Sequence, residues 1–144
     1  MCGLTPFEQA VVDAFLVGDD PRLATLRAQS LVCTVTGRRH TGVGSFTDLS
    51  VPDSAPRLAA ASITLGDVDV TVPGVENGQT ALLFVRDGVL SLLEFATYTG
   101  TWPLDPQAER IGYFRYVPNP TSGYTLLPVP QRDAETISLQ LAGQ

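Results

Sequence analysis

The segment LLFVRDGVLSLLEF, residues 82–95, constrains the fold of this chain more than any other stretch. Asp87-Gly88 supplies the positive-φ tolerance that a two-residue hairpin turn demands, and the apolar runs on either side read as strands. Counting outward from a type I′ turn pairs Arg86 with Val89, Val85 with Leu90, Leu83 with Leu92 and Ala81 with Glu94. That register predicts one face of Ala81, Leu83, Val85, Leu90, Leu92 and Glu94, and a second of Leu82, Phe84, Leu93 and Phe95. Both faces are apolar, so the hairpin is expected at the centre of a sheet covered on two sides. Helices can cover one side. The other needs the C-terminal segment, sheet curvature or a second subunit.

The helices are legible at the start of the chain. Thr5-Pro6-Phe7-Glu8 is a capping box, with Thr5 as N-cap, Pro6 in the first helical position and Glu8 reaching back to a free backbone donor. Phe7, Val11, Ala14 and Phe15 follow on one helical face, and Gly18 is a stop signal. Asp20-Pro21 opens a second helix, whose apolar side is expected to hold Leu23, Leu26 and Leu31.

Strands follow. Leu31 to Thr36 and Gly44 to Val51 flank the turn-rich GRRHTGVG and are expected to pair across a long loop. Ile63 to Val72 alternates, which predicts one strand with Val68, Val70 and Val72 inward and Asp67, Asp69 and Thr71 outward. Another strand is expected at Ile111 to Val117. The proline-punctuated PNPTSGYTLLPVP is unsuited to a central strand, and the alternation of Ile137, Leu139 and Leu141 in AETISLQLA favours a terminal strand. The expected architecture is α+β: two N-terminal helices packed on a mainly antiparallel β-sheet. It forms one domain over residues 1–144, with a core in 1–117 and a C-terminal arm or additional strand in 118–144.

Composition narrows the function. The chain has 144 residues, 15 acidic and 9 basic, for a net charge of −6. All the basic residues are arginines, which excludes lysine Schiff-base chemistry. The acidic balance argues against nucleic acid and anionic membranes, since phosphates need a positive surface, and suits a protein partner with a basic surface. No stretch has the roughly twenty apolar residues of a membrane-spanning helix, and the N-terminus lacks the pattern of a secretory leader, so a cytoplasmic protein is expected.

Candidate chemistry is sparse. Met1-Cys2-Gly3 matches the start of glutamine amidotransferases, which use that cysteine as nucleophile, but a helix cap follows within three residues and the match is read as chance. Cys33 reads as a small apolar core residue. His40 is the single histidine and is expected in a solvated loop, with Ser45 and Thr47 within reach but no nucleophile elbow around either hydroxyl. Asp67 and Asp69 could converge on a cation, yet they read better as the wet face of a strand. No metal site, cofactor or catalytic residue is assigned. Glu94, facing small Ala81, is expected to be a buried anchor for the following loop, paired with Arg86, Arg115 or backbone donors after Tyr98. Tyr98 and Trp102 are either a lid on the core or anchors for a partner. Glu94, Tyr98, Trp102 and His40 are thus the candidate binding residues.

Taken together, TPFEQAVVDAFLVGDDPRLATLRAQ, TGVGSFT and LLFVRDGVLSLLEFATYTGTWP resemble a group of small uncharacterised bacterial proteins. That group is expected to carry a TGVGFFT-like strand and a LLFxxDGxLSxLExxTYxxxWP-like hairpin. The resemblance runs from about Leu4 to Pro103 and implies an association with immunity or toxin genes. It departs at Ser45, where an aromatic is expected, and at Phe95-Ala96, and it transfers no catalytic residues. The expected function is a noncatalytic, immunity-like interaction protein, with a homodimer through the second hairpin face as a further option. The alternative is a small-molecule-binding protein or hydrolase-like enzyme with a pocket near Glu94 and His40.

Overall fold

Thr5 caps helix α1 (Pro6–Leu16) as the capping box requires: its hydroxyl accepts from the Glu8 amide at 3.1 Å, and the Glu8 carboxylate accepts from the Thr5 amide at 2.8 Å. Asp20 caps α2 (Pro21–Val32) by accepting from the Arg22 amide. The computed structural model describes residues 3–59, 62–121 and 123–143, so the Cys2 nucleophile reading lies outside the described residues. Helix α2 runs to Val32 and leaves Leu31 75% exposed, not on the apolar side where its spacing put it.

The remaining elements are β1 (Thr34–His40), β2 (Gly44–Ser50), β3 (Ser62–Leu65), β4 (Val68–Thr71), β5 (Gln79–Arg86), β6 (Val89–Thr97), β7 (Arg110–Asn119), β8 (Gly123–Val129) and α3 (Ala134–Ala142). The protein is α+β, and every strand pair is antiparallel. A five-stranded sheet has the order β1-β2-β6-β5-β3, and a three-stranded sheet the order β4-β7-β8. The hairpin β5–β6 is therefore central, as its two apolar faces require. Its turn has Asp87 at φ 53° and Gly88 at φ 79°, both in the left-handed region of a type I′ turn.

The register agrees with the count for only two pairs. Beyond Val85↔Leu90 the pairing shifts at a bulge, so that Phe84 faces Leu92, Leu83 faces Leu93, Leu82 faces Glu94 and Ala81 faces Phe95. One unpaired residue, Ser91, moves every later β6 side chain to the opposite face. Leu93 and Phe95 join Ala81, Leu83, Val85 and Leu90 in the core, while Leu92 and Glu94 go to the outer face with Leu82 and Phe84. The expected position of Glu94 opposite Ala81 is corrected accordingly.

The expected strand 63–72 is broken. Gly66 and Asp67 form a corner at which the chain leaves the five-stranded sheet and enters the other one. A Cβ at Gly66 would stand 2.8 Å from Leu82 Cδ2 and 3.0 Å from the Tyr116 hydroxyl, so glycine leaves room at the corner for the ends of these two side chains. Asp67, expected on the wet face, is fully buried, and its two oxygens accept from Arg132 Nε and Nη2 at 2.8 Å each. Alternation had no means of showing that the two sheets close over this residue.

The C-terminal segment also differs. Strand β7 pairs with β8, which lies on the sheet edge, where its one proline, Pro128, is tolerated. AETISLQLA is helix α3, not a strand. Ile137 and Leu141 are four apart and buried, whereas Leu139 is 57% exposed, and Asp133 caps the helix. A spacing of i, i+2, i+4 satisfies both periods, and the N-cap decides for helix. The core joins Phe7, Val11, Phe15, Leu23 and Leu26 of the helices to the inner sheet face, to Val68 and Val70 of β4 and to Ile137 and Leu141.

Arg132→Ala leaves Asp67 buried without its partner, and we expect a loss of about 3–5 kcal/mol in urea unfolding. A loss below about 1 kcal/mol would show that the pair does not hold the corner.

Candidate functional site

Helix α1 lies against β1 and β2 so that Glu8 serves two networks. Beyond the capping box, its Oε1 accepts from Arg38 Nη2 at 2.6 Å, and its Oε2 accepts from Arg38 Nε at 3.1 Å and Thr47 Oγ1 at 2.6 Å. Burial pushes the Glu8 carboxyl up, but the hydrogen bonds from Arg38, Thr47 and the Thr5 amide, with the Arg38 charge, outweigh it and hold the pKa below the ordinary value of 4.5. A groove of about 180 Å³ opens beside this network, lined among others by Arg38, His40, Ser45, Phe95, Trp102 and Pro103. Its volume is enough for a ring-sized ligand.

His40 closes β1 instead of sitting in a loop, opposite Ser45. Its Nδ1 accepts from the Gly42 amide at 3.1 Å, and its Nε2 lies 3.1 Å from the Trp102 carbonyl and 3.3 Å from that of Pro103. The tautomer with its proton on Nε2 satisfies both sides, leaving no nitrogen lone pair for a substrate. The Trp102 amide donates to the Gly42 carbonyl at 2.8 Å, and the Thr97 amide to that of Val43 at 2.8 Å. The two sequence blocks TGVGSFT and TYTGTWP thus touch. Gly44 permits the contact between strands: a Cβ there would fall 2.0 Å from the Phe95 carbonyl oxygen.

Trp102 is the lid of the sequence expectation. It is 4% exposed and stacked on Phe95 at 5.0 Å between ring centres, with Phe7 tilted against both. Tyr98 is 60% exposed. Glu94 lies on the other face of the sheet from these groups, in a register row with Arg39, Phe46 and Leu82. The shared cleft of Glu94 and His40 is absent. Nor does Glu94 anchor the loop: it is half-buried, and among the described residues its carboxylate makes no hydrogen bond or ion pair. The arginines named as its partners are engaged elsewhere or distant, since Arg86 lies over the Phe84 ring and Arg115 is on β7 in the other sheet.

The outer face of the five-stranded sheet is the other notable surface. Phe46, Leu82, Phe84 and Leu92 sit at neighbouring register positions on it, all half-buried. None belongs to the hydrophobic core or packs against it. Arg39 lies over Phe46 at 4.8 Å and Arg86 over Phe84 at 5.6 Å, shielding part of each ring. Sequence reasoning found two apolar hairpin faces but assigned Leu92 to the wrong one, because nothing local marks Ser91 as a bulge.

No group of three or more potential metal ligands occurs among the described residues, and no helix there is long and apolar enough to cross a membrane. Comparison with protein families, curated proteins and solved structures found no match to this chain.

The depressed Glu8 pKa has a consequence for stability. The folded value lies below the unfolded one, so the network's contribution is complete above about pH 4.5 and is lost as pH falls through the folded pKa. Acid titration of unfolding should show a shallower loss below pH 4.5 in Glu8→Gln than in the parent chain. Identical slopes would remove Glu8 from the acid response.

Proposed function

We propose that this chain is a noncatalytic protein-interaction module that docks through the outer face of its five-stranded sheet. The observation that carries the reading is the quartet Phe46, Leu82, Phe84 and Leu92, adjacent on one face and outside the core. Apolar side chains gathered on a surface, interleaved with a few charged groups, suit a docking area of modest size. The groove offers no comparable case for catalysis. Both oxygens of Glu8 and both nitrogens of His40 are held by groups of the protein, so neither is placed to take a proton from a substrate.

The resemblance to small immunity-associated bacterial proteins points to the same class, in which a protein acts by occupying its partner. In that version the acid excess, net −6, steers a basic protein toward the chain, and exposed Tyr98 adds contact area beside the sheet. Trp102 has no part in such contacts, because its ring is already spent on Phe95.

A photo-crosslinking phenylalanine analogue at position 46 should form a discrete protein adduct in cells, whereas the same analogue at position 24, on an exposed part of α2, should not. Equal labelling at both positions, or none at 46, overturns the reading.

A further inference from the structure

The charges around the outer face distinguish one occupant from another. Arg39 and Arg86 stand on it with Asp48 and Glu94, two of each sign, so the face is neutral within a chain of net charge −6. The charges are interleaved with the apolar quartet: one row runs Arg39, Phe46, Glu94, Leu82 and the next Asp48, Leu92, Phe84, with Arg39 3.7 Å from Asp48 and Arg86 beyond Phe84 on its strand. A basic partner steered by the acid excess finds none of that excess here. A second copy finds a neutral surface with apolar groups and charges of both signs to match its own.

The hairpin requires cover on two sides, and the chain supplies only one. Helices α1 and α2 fill the inner side, and the C-terminal segment is committed elsewhere. Its strand β8 extends the other sheet, and α3 sends Ile137 and Leu141 into the core. The C-terminal part of the chain reaches this face at its β3 side alone among the described residues, where Leu82 nears Gly66 and the Tyr116 hydroxyl, and Ser62 and Thr64 lie beside Leu139 and Gln140 of α3.

The area is sufficient. Four gaps of about 4.8 Å make the sheet about 20 Å wide, and about six residues at about 3.3 Å give a similar length. Two such faces with their side-chain relief bury on the order of 1,000 Å², the lower bound for a specific interface. We therefore infer that the outer face of the five-stranded sheet, centred on Phe46, Leu82, Phe84 and Leu92, is the contact between two copies of this chain in a weak homodimer. The inference rests on the docking-face reading above and names its occupant. Contact between the same face on two copies is isologous, and an isologous contact closes into a dimer and does not propagate.

The full purified chain would be examined by sedimentation equilibrium across protein and salt concentrations, with unfolding melts confirming that each variant folds. The expected result is a reversible monomer–dimer equilibrium that tightens as salt rises, because the net −6 on each copy repels its twin and salt screens that repulsion. Glu94→Arg takes the face from neutral to +2, and the double variant Arg39→Glu, Arg86→Glu takes it to −4. Each should weaken the dimer by about tenfold or more, since both put like charge against like. A basic partner protein would respond with opposite signs to the two changes and would bind less tightly as salt rises.

A chain that stays monomeric at all concentrations overturns the second copy as occupant. If position 46 then crosslinks to a different protein, the docking-face reading stands with another occupant, and if it crosslinks to nothing, both fail. A dimer indifferent to both charge variants also overturns the inference, because its contact lies elsewhere. Should Glu94→Arg not fold, the Arg39 and Arg86 variant, altering two exposed side chains, carries the same test.

Discussion

Asp67 and Arg132 form an ion pair with side-chain exposures of 0% and 10%, and most of the molecule is arranged around it. Two charges removed from water are stable only where geometry and further hydrogen bonds offset the desolvation. Here both carboxylate oxygens meet two nitrogens of one guanidinium, whose third nitrogen donates to the Val17 carbonyl at 2.9 Å. The guanidinium also lies 5.2 Å from the centre of the Tyr113 ring, and Tyr113 donates its hydroxyl to the Ala14 carbonyl. One side chain thus joins the corner between the two sheets, the end of α1 and the approach to α3. The same contacts finish α1, which has no basic residue in its last turn. Carbonyls at its C-terminus are met by the Tyr113 hydroxyl and by the guanidinium groups of Arg27 and Arg132, and the two cations also complement the helix dipole.

A second buried polar side chain holds the central hairpin in place. Gln29 of α2 donates to the carbonyls of Pro56 and Gly88 and accepts from the Leu90 amide. The turn is thereby docked on the helix layer. Gly88 is also closed off by Leu58, whose carbonyl oxygen would be 2.2 Å from a Cβ at that position. Glu8 does the corresponding work at the other end of the sheet, tying α1 to β1 and β2. With the inner face held at both ends, the bulge at Ser91 determines what remains outside. Of the groups weighed for chemistry, Asp67 and His40 are held by the fold, while Glu94 lies on the outer face, which has no net charge and carries the apolar quartet.

How much of this was legible depends on the range of each interaction. The capping box at Thr5, the Asp20-Pro21 start and the Asp87-Gly88 turn are set by contacts within four residues, and all three occur where the residues imply. Leu92 and Glu94 were misplaced because a bulge leaves no mark in alternation, yet reverses its meaning. Asp67 read as a surface residue because polarity predicts exposure unless a partner is known, and Arg132 is 65 residues away. Gln29 gave no signal at all, since a glutamine among helix formers looks like solvent-facing surface.

The sequence by itself determined the local elements: two capped helices, a type I′ hairpin with two apolar faces, and an antiparallel α+β class. Propensity, capping and turn chemistry act over a few residues, so they can be read along the chain. Tertiary structure alone decided which hairpin face is covered, where the two sheets part, and that Glu8, Asp67 and His40 are spent on holding the fold. Those outcomes depend on desolvation and on partners brought together from tens of residues apart, and such encounters exist only once the chain has closed.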